Sequence, residues 1–244
     1  MPLVLATQAP GEPEIFASLQ GEGPSTGTPV AFVRLSRCNL ACVWCDTPYT
    51  WHFEGDDRPH RGGETYDRAA NQLTLDEADV AARIAALGQK RLVITGGEPM
   101  LQGAQLARML EHLPDIEVEI ETNGTARPPA RLDFRIDQFN VSPKLAHSGN
   151  PASLALKPEM LDFWASESRA VLKFVIGAPE HIAEVKDIVR KHMISPNKVF
   201  LMPEGTDSET LREREEWLVD ACLAHGFRMS DRMHIHLFGD TRGT

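Results

Sequence analysis

The sequence predicts an α/β fold built on a parallel sheet, because short apolar segments with strand character alternate with amphipathic helical segments along most of the chain. Its 244 residues, 42% apolar and 25% charged, have the composition of a globular domain, which excludes disorder as the main state. Unusual residues follow the strands, and the carboxyl ends of parallel strands meet at one edge of a sheet. We therefore predict a single domain over residues 1–244 with its functional groups along that edge.

Apolar segments of strand length recur from the first quarter of the chain to its end. The predicted strands are 30–35, 91–95, 117–121, 135–141, 171–176, 198–202 and 234–237. Residues 117–121 alternate between Glu and an apolar residue, which is typical of a strand with one apolar face. The segment 171–176 is typical of the buried strands that parallel sheets contain.

Helices are predicted between these strands, where apolar residues recur at intervals of three and four. Thr74 and Glu77 have the spacing of a capping box ahead of the first helix, and Gly88 ends it. The other predicted helices are 104–113, 158–166, 180–192 and 208–225. The stretch 48–72 has no clean period and is predicted to be an irregular insertion.

Charge and hydropathy exclude several classes of protein. The formal net charge is −10, from 25 basic and 35 acidic residues, and an acidic chain repels polyphosphates, so no direct nucleic-acid partner is expected. No segment approaches the roughly 18 apolar residues of a membrane span, and the first residues lack the basic start of a secretory signal. We expect a protein of the reducing cytoplasm with no membrane partner.

Three of the four cysteines, Cys38, Cys42 and Cys45, fall within eight residues, whereas Cys222 stands alone. Thiols at this spacing cannot cross-link much chain, but they can converge on one metal centre. A structural zinc site would need a fourth ligand, which His52 or His60 could supply. A cubane iron–sulfur cluster held by three thiolates would instead leave one iron open for chemistry. The single tight trio favours the cluster, and the zinc site stays open as an alternative.

Several motifs resemble those of a known superfamily. The pattern Cys38-x-x-x-Cys42-x-x-Cys45 resembles the cluster motif of the radical S-adenosylmethionine (SAM) superfamily, and Gly-Gly-Glu-Pro at 96–99 resembles its glycine-rich motif. An ordered set of segments resembles the 7-carboxy-7-deazaguanine synthase family more specifically. These segments are 16–23 (Phe-Ala-Ser-Leu-Gln-Gly-Glu-Gly), 32–35, 45–47, 121–124 (Glu-Thr-Asn-Gly), 142–144 (Ser-Pro-Lys) and 238–244. The resemblance covers nearly the whole chain except 48–72 and parts of 145–170.

This resemblance implies a fold and an activity. The expected fold is an abbreviated radical SAM barrel of about six parallel strands with flanking helices. The family is homodimeric and converts 6-carboxy-5,6,7,8-tetrahydropterin to 7-carboxy-7-deazaguanine with loss of ammonia, in the biosynthesis of queuosine and other 7-deazapurines. It uses a 4Fe–4S cluster, SAM and Mg²⁺, and an electron donor such as flavodoxin.

The resemblance also implies roles for individual residues. Cys38, Cys42 and Cys45 would ligate the cluster, and Thr47 would hold Mg²⁺. The residues implied to contact SAM are Trp44, Cys45, Asp46, Gly97, Ser142, Pro143, Lys144, Met202, Pro203, Glu204 and Gly205. The residues implied to bind the pterin are Leu19, Gln20, Gly21, Arg34, Thr95 and the terminal Thr244.

Side-chain chemistry supports two of these roles directly. The planar guanidinium of Arg34 matches a substrate carboxylate, and the hydroxyl of Thr47 is a hard oxygen ligand of the kind that Mg²⁺ prefers. Other residues are expected to be structural. Cys222 is interpreted as a small core residue. His234 and His236, on one face of the predicted last strand, are interpreted as core or surface histidines, and contact of one of them with substrate stays open as an alternative.

The chain departs from the family pattern at Arg37, where many members have glycine. The backbone conformation of the cysteine loop is therefore not predicted, although its ligand set is. The insertion 48–72 is hypothesised to be a flap near the cluster or a dimer contact. Two other functions stay open from the sequence. One is a glycyl-radical-enzyme activase, which shares the cysteine trio, and the other is a non-catalytic binding module stabilised by zinc.

Overall fold

The central element of the fold is one eleven-stranded sheet, seen in a computed structural model that describes residues 2–244. Its strands, in chain order, are β1 (Leu3–Ala9), β2 (Glu12–Pro13), β3 (Ile15–Leu19), β4 (Pro29–Leu35), β5 (Gln72–Leu75), β6 (Arg91–Gly96), β7 (Glu117–Thr122), β8 (Gln138–Val141), β9 (Ala170–Ile176), β10 (Val199–Pro203) and β11 (Arg228–Met229). Nine of them follow the spatial order β11-β10-β9-β8-β7-β6-β4-β1-β2, while β3 pairs with β4 and β5 pairs with β1 beside this path. The sheet is an open path rather than a closed barrel.

The parallel part of this sheet confirms the predicted fold class. Strands β4, β6, β7, β8, β9 and β10 pair in parallel one after another, and the short β11 extends them. Strand β1 pairs antiparallel with β4 and β5, and β3 pairs antiparallel with β4. Of these strands, β4 was predicted from the sequence, and β1, β3 and β5 were not. All six long parallel strands end at the same edge, which brings the loops that follow them together.

Helices cover the outer face of the sheet. They are α1 (Arg68–Asn71), α2 (Glu77–Ala86), α3 (Gly103–Glu111), α4 (Ala130–Asp133), α5 (Ala152–Ala155), α6 (Pro158–Ser166), α7 (His181–Lys191), α8 (Ser208–His225) and α9 (Met233–Phe238). Val80 and Ile84 of α2, with Leu106 and Leu110 of α3, are fully buried in the core beneath β4, β6 and β7. A second core group joins α7 and α8 to β9 and β10 and includes Cys222, as its interpretation as a core residue predicted.

The alternation of side chains along the strands separates the core from the interior of the partial barrel. On β7, Val118 and Ile120 join the core with the helices, whereas Glu119 and Glu121 face other side chains of the interior. Lys173 on β9 is likewise buried between core residues and pairs with Glu22. The interior surface therefore carries buried charges, while the outer surface is apolar.

Two predicted elements are wrong and one is shorter than predicted. Residues 234–237 belong to the helix α9, because a short alternation of His and apolar residues does not distinguish a strand from one helical turn. Helix α2 begins after Asp76, and Thr74 lies in β5, so the Thr74–Glu77 capping box does not form. The strand predicted at 135–141 spans only Gln138–Val141.

The insertion at 48–72 is largely irregular, as its lack of period predicted. It contains a 3-10 turn at Pro48–Thr50, an isolated bridge between Phe53 and Tyr66, and the short helix α1. Its aromatic residues Trp51 and Phe53 are 4% and 3% exposed, so the segment is folded onto the domain. Among residues 2–244, no helix has the length and apolarity that crossing a membrane requires.

Candidate functional site

A cleft of about 220 Å³ opens where the parallel strands end. A side lobe of about 570 Å³ adjoins it and shares Trp44, Cys45, Asp46 and Met202 with it. The predicted site residues that line the cleft are Leu19, Gln20, Gly21, Arg34, Cys38, Cys42, Trp44, Cys45, Asp46, Thr47, Thr95, Gly97, Ser142, Lys144, Met202 and Thr244. Pro203, Glu204 and Gly205 line the side lobe. Pro143 is buried beside these residues and lines neither space.

The three cysteines lie in the loop that follows β4, and their sulfur atoms are spread apart. Only Glu215, Asp231 and His236 form a group of three possible ligand atoms within 4.8 Å of one another in residues 2–244, so at least one pair of the three sulfurs lies farther apart than 4.8 Å. Tetrahedral zinc, with Zn–S bonds of about 2.3 Å, would bring its sulfurs to within about 4 Å. The spread of the sulfurs therefore disfavours a single zinc ion and fits a larger centre such as a cubane cluster.

The thiols are poor nucleophiles without a metal. Burial raises the pKa of Cys38 to about 12 and that of Cys45 to about 11, and it also raises the pKa of Cys42. Protonated, buried thiols at neutral pH have no activated sulfur for covalent catalysis. A bound metal centre would favour their thiolate forms, so the donor set suits iron–sulfur ligation rather than nucleophilic chemistry.

The backbone of the cysteine loop packs closely against the end of β6. A Cβ at Gly97 would lie 2.0 Å from the carbonyl oxygen of Arg37, and a Cβ at Gly96 would lie 2.2 Å from that of Leu35. The thiol of Cys38 donates to the carbonyl oxygen of Gly97 over 3.4 Å. The two glycines therefore permit a backbone contact that fixes the cysteine loop beside the cleft.

Arg37, directly before Cys38, has a φ of +77°, a conformation that favours glycine. We expect Arg37→Gly to change the free energy of unfolding by less than about 1 kcal/mol in either direction, because relief of the strained conformation, about 1–2 kcal/mol, is offset by the flexibility of unfolded glycine. Arg37→Val is the control and should lower that free energy by more than about 1 kcal/mol. Urea denaturation measures both, and a larger loss in the glycine variant would contradict the assignment of strain.

Arg34, on β4, is held by a buried carboxylate. Its Nε donates to Oε1 of Glu14 over 2.7 Å, and the hydroxyl of Tyr49 donates to Oε2 of Glu14 over 3.0 Å. Burial opposes the charge of Arg34, but Glu14 and Tyr49 outweigh it and raise the pKa of Arg34. Within residues 2–244 the side-chain hydrogen bonds of Arg34 use Nε alone, so both of its Nη groups can bind a carboxylate from the cleft.

The side chains of Gln20 and Thr95 both donate hydrogen bonds to the carboxylate of Glu121, so these donors are already used within the protein. The amide nitrogen of Gln20 donates to Glu119 over 2.8 Å and to Oε1 of Glu121 over 3.2 Å. The hydroxyl of Thr95 donates to Oε2 of Glu121 over 2.8 Å. The two residues predicted to bind pterin therefore orient Glu121, a carboxylate that lines the cleft.

A network of charges that the sequence did not predict joins the cysteine loop to β9 and to the start of α9, and only Asp46 among its charged residues is exposed. Arg232 donates from Nε to Oε1 of Glu22 over 3.1 Å, and its other nitrogens donate to Asp46 and to the carbonyl of Gly205. Lys173 pairs with the other oxygen of Glu22. Burial would raise the pKa of Glu22, but Lys173 and Arg232 outweigh it and hold that pKa far below its usual value.

The histidines of α9 lie on different sides, contrary to the prediction of one shared face. His234 lines the cleft, with Nε2 3.9 Å from Glu22 and 3.5 Å from Arg232, and burial lowers its pKa. His236 points away and hydrogen-bonds the hydroxyl of Ser208 over 2.9 Å. Side chains two residues apart diverge on a helix, whereas they would share a face on a strand.

The residues predicted for SAM lie between the cysteine loop and the side lobe. Nζ of Lys144 donates to the hydroxyl of Ser142 over 2.7 Å and lies 5.4 Å from the centre of the Trp44 ring. The indole nitrogen of Trp44 is buried and has no hydrogen-bond partner within residues 2–244. Glu204 forms an ion pair with Arg61 over 2.6 Å at the side lobe. The unpartnered indole nitrogen of Trp44 is what we expect of a group that bonds to a polar molecule bound in the cleft.

Thr47 and Thr244 both line the cleft. In the part of the chain that the structure describes, residues 2–244, the hydroxyl of Thr47 has one polar contact, Sγ of Cys45 over 3.7 Å, and it makes no capping bond to the 3-10 turn that follows. The C-terminal segment is held by Arg242, which stacks 3.5 Å from the centre of the Tyr49 ring and donates to Asn71 over 2.9 Å. These contacts place the terminal Thr244 along the cleft.

Comparison with known proteins places the chain in a family. Residues 33–143 match the model of the Radical SAM superfamily. The chain is 36% identical to the 7-carboxy-7-deazaguanine synthase of Pyrobaculum aerophilum over 94% of this chain and 95% of the relative, and 33% identical to that of Rhodopirellula baltica over 95% and 87%.

A solved structure agrees with these relatives. The crystal structure of QueE from Escherichia coli superposes with a TM-score of 0.67 at 25% identity, covering 96% of this chain and 95% of that one. The relatives support neither the activase nor the zinc module that the sequence left open. The chain therefore belongs to the 7-carboxy-7-deazaguanine synthase family of radical SAM enzymes.

Proposed function

We propose that this protein converts 6-carboxy-5,6,7,8-tetrahydropterin to 7-carboxy-7-deazaguanine and ammonia, the reaction implied by its family. The observation that carries the proposal is that the cysteine trio and Arg34 line one cleft. Substrate and product differ by one ammonia, so the conversion involves no net oxidation. A reduced 4Fe–4S cluster with bound SAM supplies hydrogen-atom abstraction by a carbon radical, and the protein supplies orientation and exclusion of water.

Cys38, Cys42 and Cys45 would hold the cluster, and two observations support the fit. At least one pair of their sulfurs lies farther apart than 4.8 Å, which suits a cluster better than one zinc ion, and the buried indole nitrogen of Trp44 lacks a partner within residues 2–244. SAM would lie between the Gly97 end of β6 and the side lobe, where Ser142, Lys144 and the segment 202–205 border the two spaces. Asp46, oriented by Arg232, would border SAM on the cysteine side.

The pterin would lie at the opposite end of the cleft with its polar groups matched to charged residues. The free Nη groups of Arg34 would bind the substrate carboxylate in a bidentate manner. The carboxylate of Glu121 would accept hydrogen bonds from the amino-substituted edge of the pterin, because Gln20 and Thr95 already fix its orientation. Contacts with Arg34 at the carboxylate and with Glu121 at the amino-substituted edge would together fix the orientation of the pterin ring relative to SAM.

Three further features belong to the proposal. The hydroxyl of Thr47 would ligate Mg²⁺ together with oxygens of the substrate, as this ion commonly shares ligands. The protein would act as a homodimer and would receive electrons from a small donor such as flavodoxin. It would work in the cytoplasm, where thiols stay reduced.

Anaerobic turnover of the reconstituted enzyme with the carboxypterin, SAM, Mg²⁺ and dithionite tests this function. Mass spectrometry should detect a product lighter than the substrate by one ammonia, with 5′-deoxyadenosine well below the product in amount because SAM is regenerated. A reaction without SAM is the control. Enzyme that cleaves SAM but leaves the carboxypterin unchanged would contradict the proposed substrate.

A further inference from the structure

Among residues 2–244, each cysteine sulfur of the trio has one N–H donor. The backbone N–H of Leu40 lies 3.5 Å from Sγ of Cys38 and belongs to the cysteine loop itself. The other two donors are side chains from outside the loop. Nε1 of Trp51 donates to Sγ of Cys45 over 3.3 Å, and Nδ2 of Asn150 donates to Sγ of Cys42 over 3.3 Å.

Trp51 is held firmly in this position by the insertion. Its side chain is buried, its ring lies 4.9 Å from the ring of His52, and the guanidinium of Arg58 lies 4.8 Å from its centre. The insertion is also fastened to the cysteine loop, because Nε2 of His60 is 2.9 Å from the carbonyl oxygen of Cys45. The indole N–H is therefore pre-organised toward the sulfur.

Asn150 is fixed by an equally specific set of contacts. Its side-chain oxygen accepts from the backbone N–H of Ala41 over 2.9 Å, which leaves its amide nitrogen directed at Cys42. The adjoining backbone lies against the cysteine loop, where the N–H of Val43 donates to the carbonyl of Ser148 over 2.9 Å. The approach is close enough that a Cβ at Gly149 would lie 2.8 Å from the Val43 side chain.

We propose that Trp51 and Asn150 raise the reduction potential of the cluster through their N–H···S hydrogen bonds. This inference rests on the proposed function only in so far as the trio holds an iron–sulfur cluster. Reduction adds one electron from an external low-potential donor to the cluster, and no covalent bond forms or breaks in the protein. A donor at a ligating sulfur stabilises the more negative, reduced state, so its loss makes reduction harder.

The two residues lie in the stretches for which the family resemblance gave no role, 48–72 and 145–170. Each of these stretches therefore supplies one side chain that donates a hydrogen bond to a cluster ligand. Trp51 also excludes water from Cys45, which by itself would lower the potential. The two effects of Trp51 have opposite signs, because phenylalanine removes the N–H donor, which lowers the potential, whereas any water entering the volume freed by the smaller ring would raise it.

The test is an anaerobic redox titration of the reconstituted cluster, followed by the electron paramagnetic resonance signal of its reduced form. At the wild-type midpoint potential, we expect Trp51→Phe to reduce the ratio of reduced to oxidised cluster about tenfold, which corresponds to a shift of about 59 mV to lower potential for one electron. Trp217→Phe is the matched control, since Trp217 packs in the core group with α7 and α8, and its midpoint should equal that of the wild type.

A second measurement does not require the Trp51 variant to hold its cluster. In protein labelled with ¹⁵N at the tryptophan indole, in a Trp44→Phe background, electron–nuclear double resonance of the reduced cluster should show a ¹⁵N coupling from Trp51. An unchanged midpoint in Trp51→Phe with full iron content, or a missing ¹⁵N coupling, would overturn the inference. Failure to turn over the carboxypterin would contradict the proposed substrate alone, because both measurements are made without substrate.

Discussion

Cys42→Ala is expected to abolish reductive cleavage of SAM, with activity at least about 10³-fold below that of the wild type. Cys42 is one of three ligands for the cluster, and two thiolates cannot define a cubane with a single open iron. The measurement is the amount of 5′-deoxyadenosine formed from SAM and dithionite under anaerobic conditions, together with iron content per chain.

Cys222→Ala is the matched control for this experiment. Cys222 lies on the buried face of α8, in a different core group from Cys42, so its loss should affect stability slightly and leave cleavage and iron content unchanged. Full cleavage activity in Cys42→Ala would remove the trio from the mechanism. Loss of activity in both variants would indicate a general effect of cysteine replacement rather than loss of a ligand.

Arg34→Ala is expected to lower kcat/KM for the carboxypterin by about 10²-fold or more while leaving the Kd of SAM within about twofold of the wild type. The substitution removes the cation proposed to bind the substrate carboxylate, and loss of one partner of a buried charged pair costs about 2–5 kcal/mol. It also leaves Glu14, which is 0% exposed, without its guanidinium partner. Steady-state kinetics and equilibrium binding of SAM measure the two effects separately.

Two variants control for this interpretation. Arg34→Lys keeps the charge but loses the planar pair of donors, so it should recover only part of kcat/KM. Arg169→Ala removes an arginine of similar exposure that pairs with Glu167 and Asp133 and does not line the cleft, so its kcat/KM should be unchanged. Unaltered kinetics in Arg34→Ala would contradict the role of this residue as a carboxylate clamp.

The sequence predicted the parallel sheet well because its long strands and helices carry strong periodic patterns. Helices α6 and α8 coincide with their predicted bounds, Pro158–Ser166 and Ser208–His225. The prediction of a terminal strand at 234–237 was wrong because so short a segment has no decisive period. The antiparallel strand β1 was missed because its pairing with β5 depends on contacts between residues far apart in the chain.

Site residues could be predicted where a local sequence motif contains them. They could not be predicted where residues from distant segments of the chain meet in the folded protein. The residues of the cysteine loop and Arg34 were predicted, and they line the cleft. Arg232 and Lys173 were missed, because nothing local shows that they meet Glu22 in the interior. One signal was present, however: charged residues alternating with apolar ones on strands, as in β7, indicate an interior face that carries charge in a partial barrel.

The central claim is that three cysteines hold a 4Fe–4S cluster with one iron open to SAM. Electron–nuclear double resonance of the reduced cluster with SAM labelled by ¹⁵N at its amino group tests this most directly. The account predicts a ¹⁵N coupling that is present with labelled SAM and absent with unlabelled SAM, as expected for direct coordination. A reduced cluster whose spectrum is unchanged by saturating labelled SAM, or a preparation with stoichiometric zinc and no iron, would contradict it.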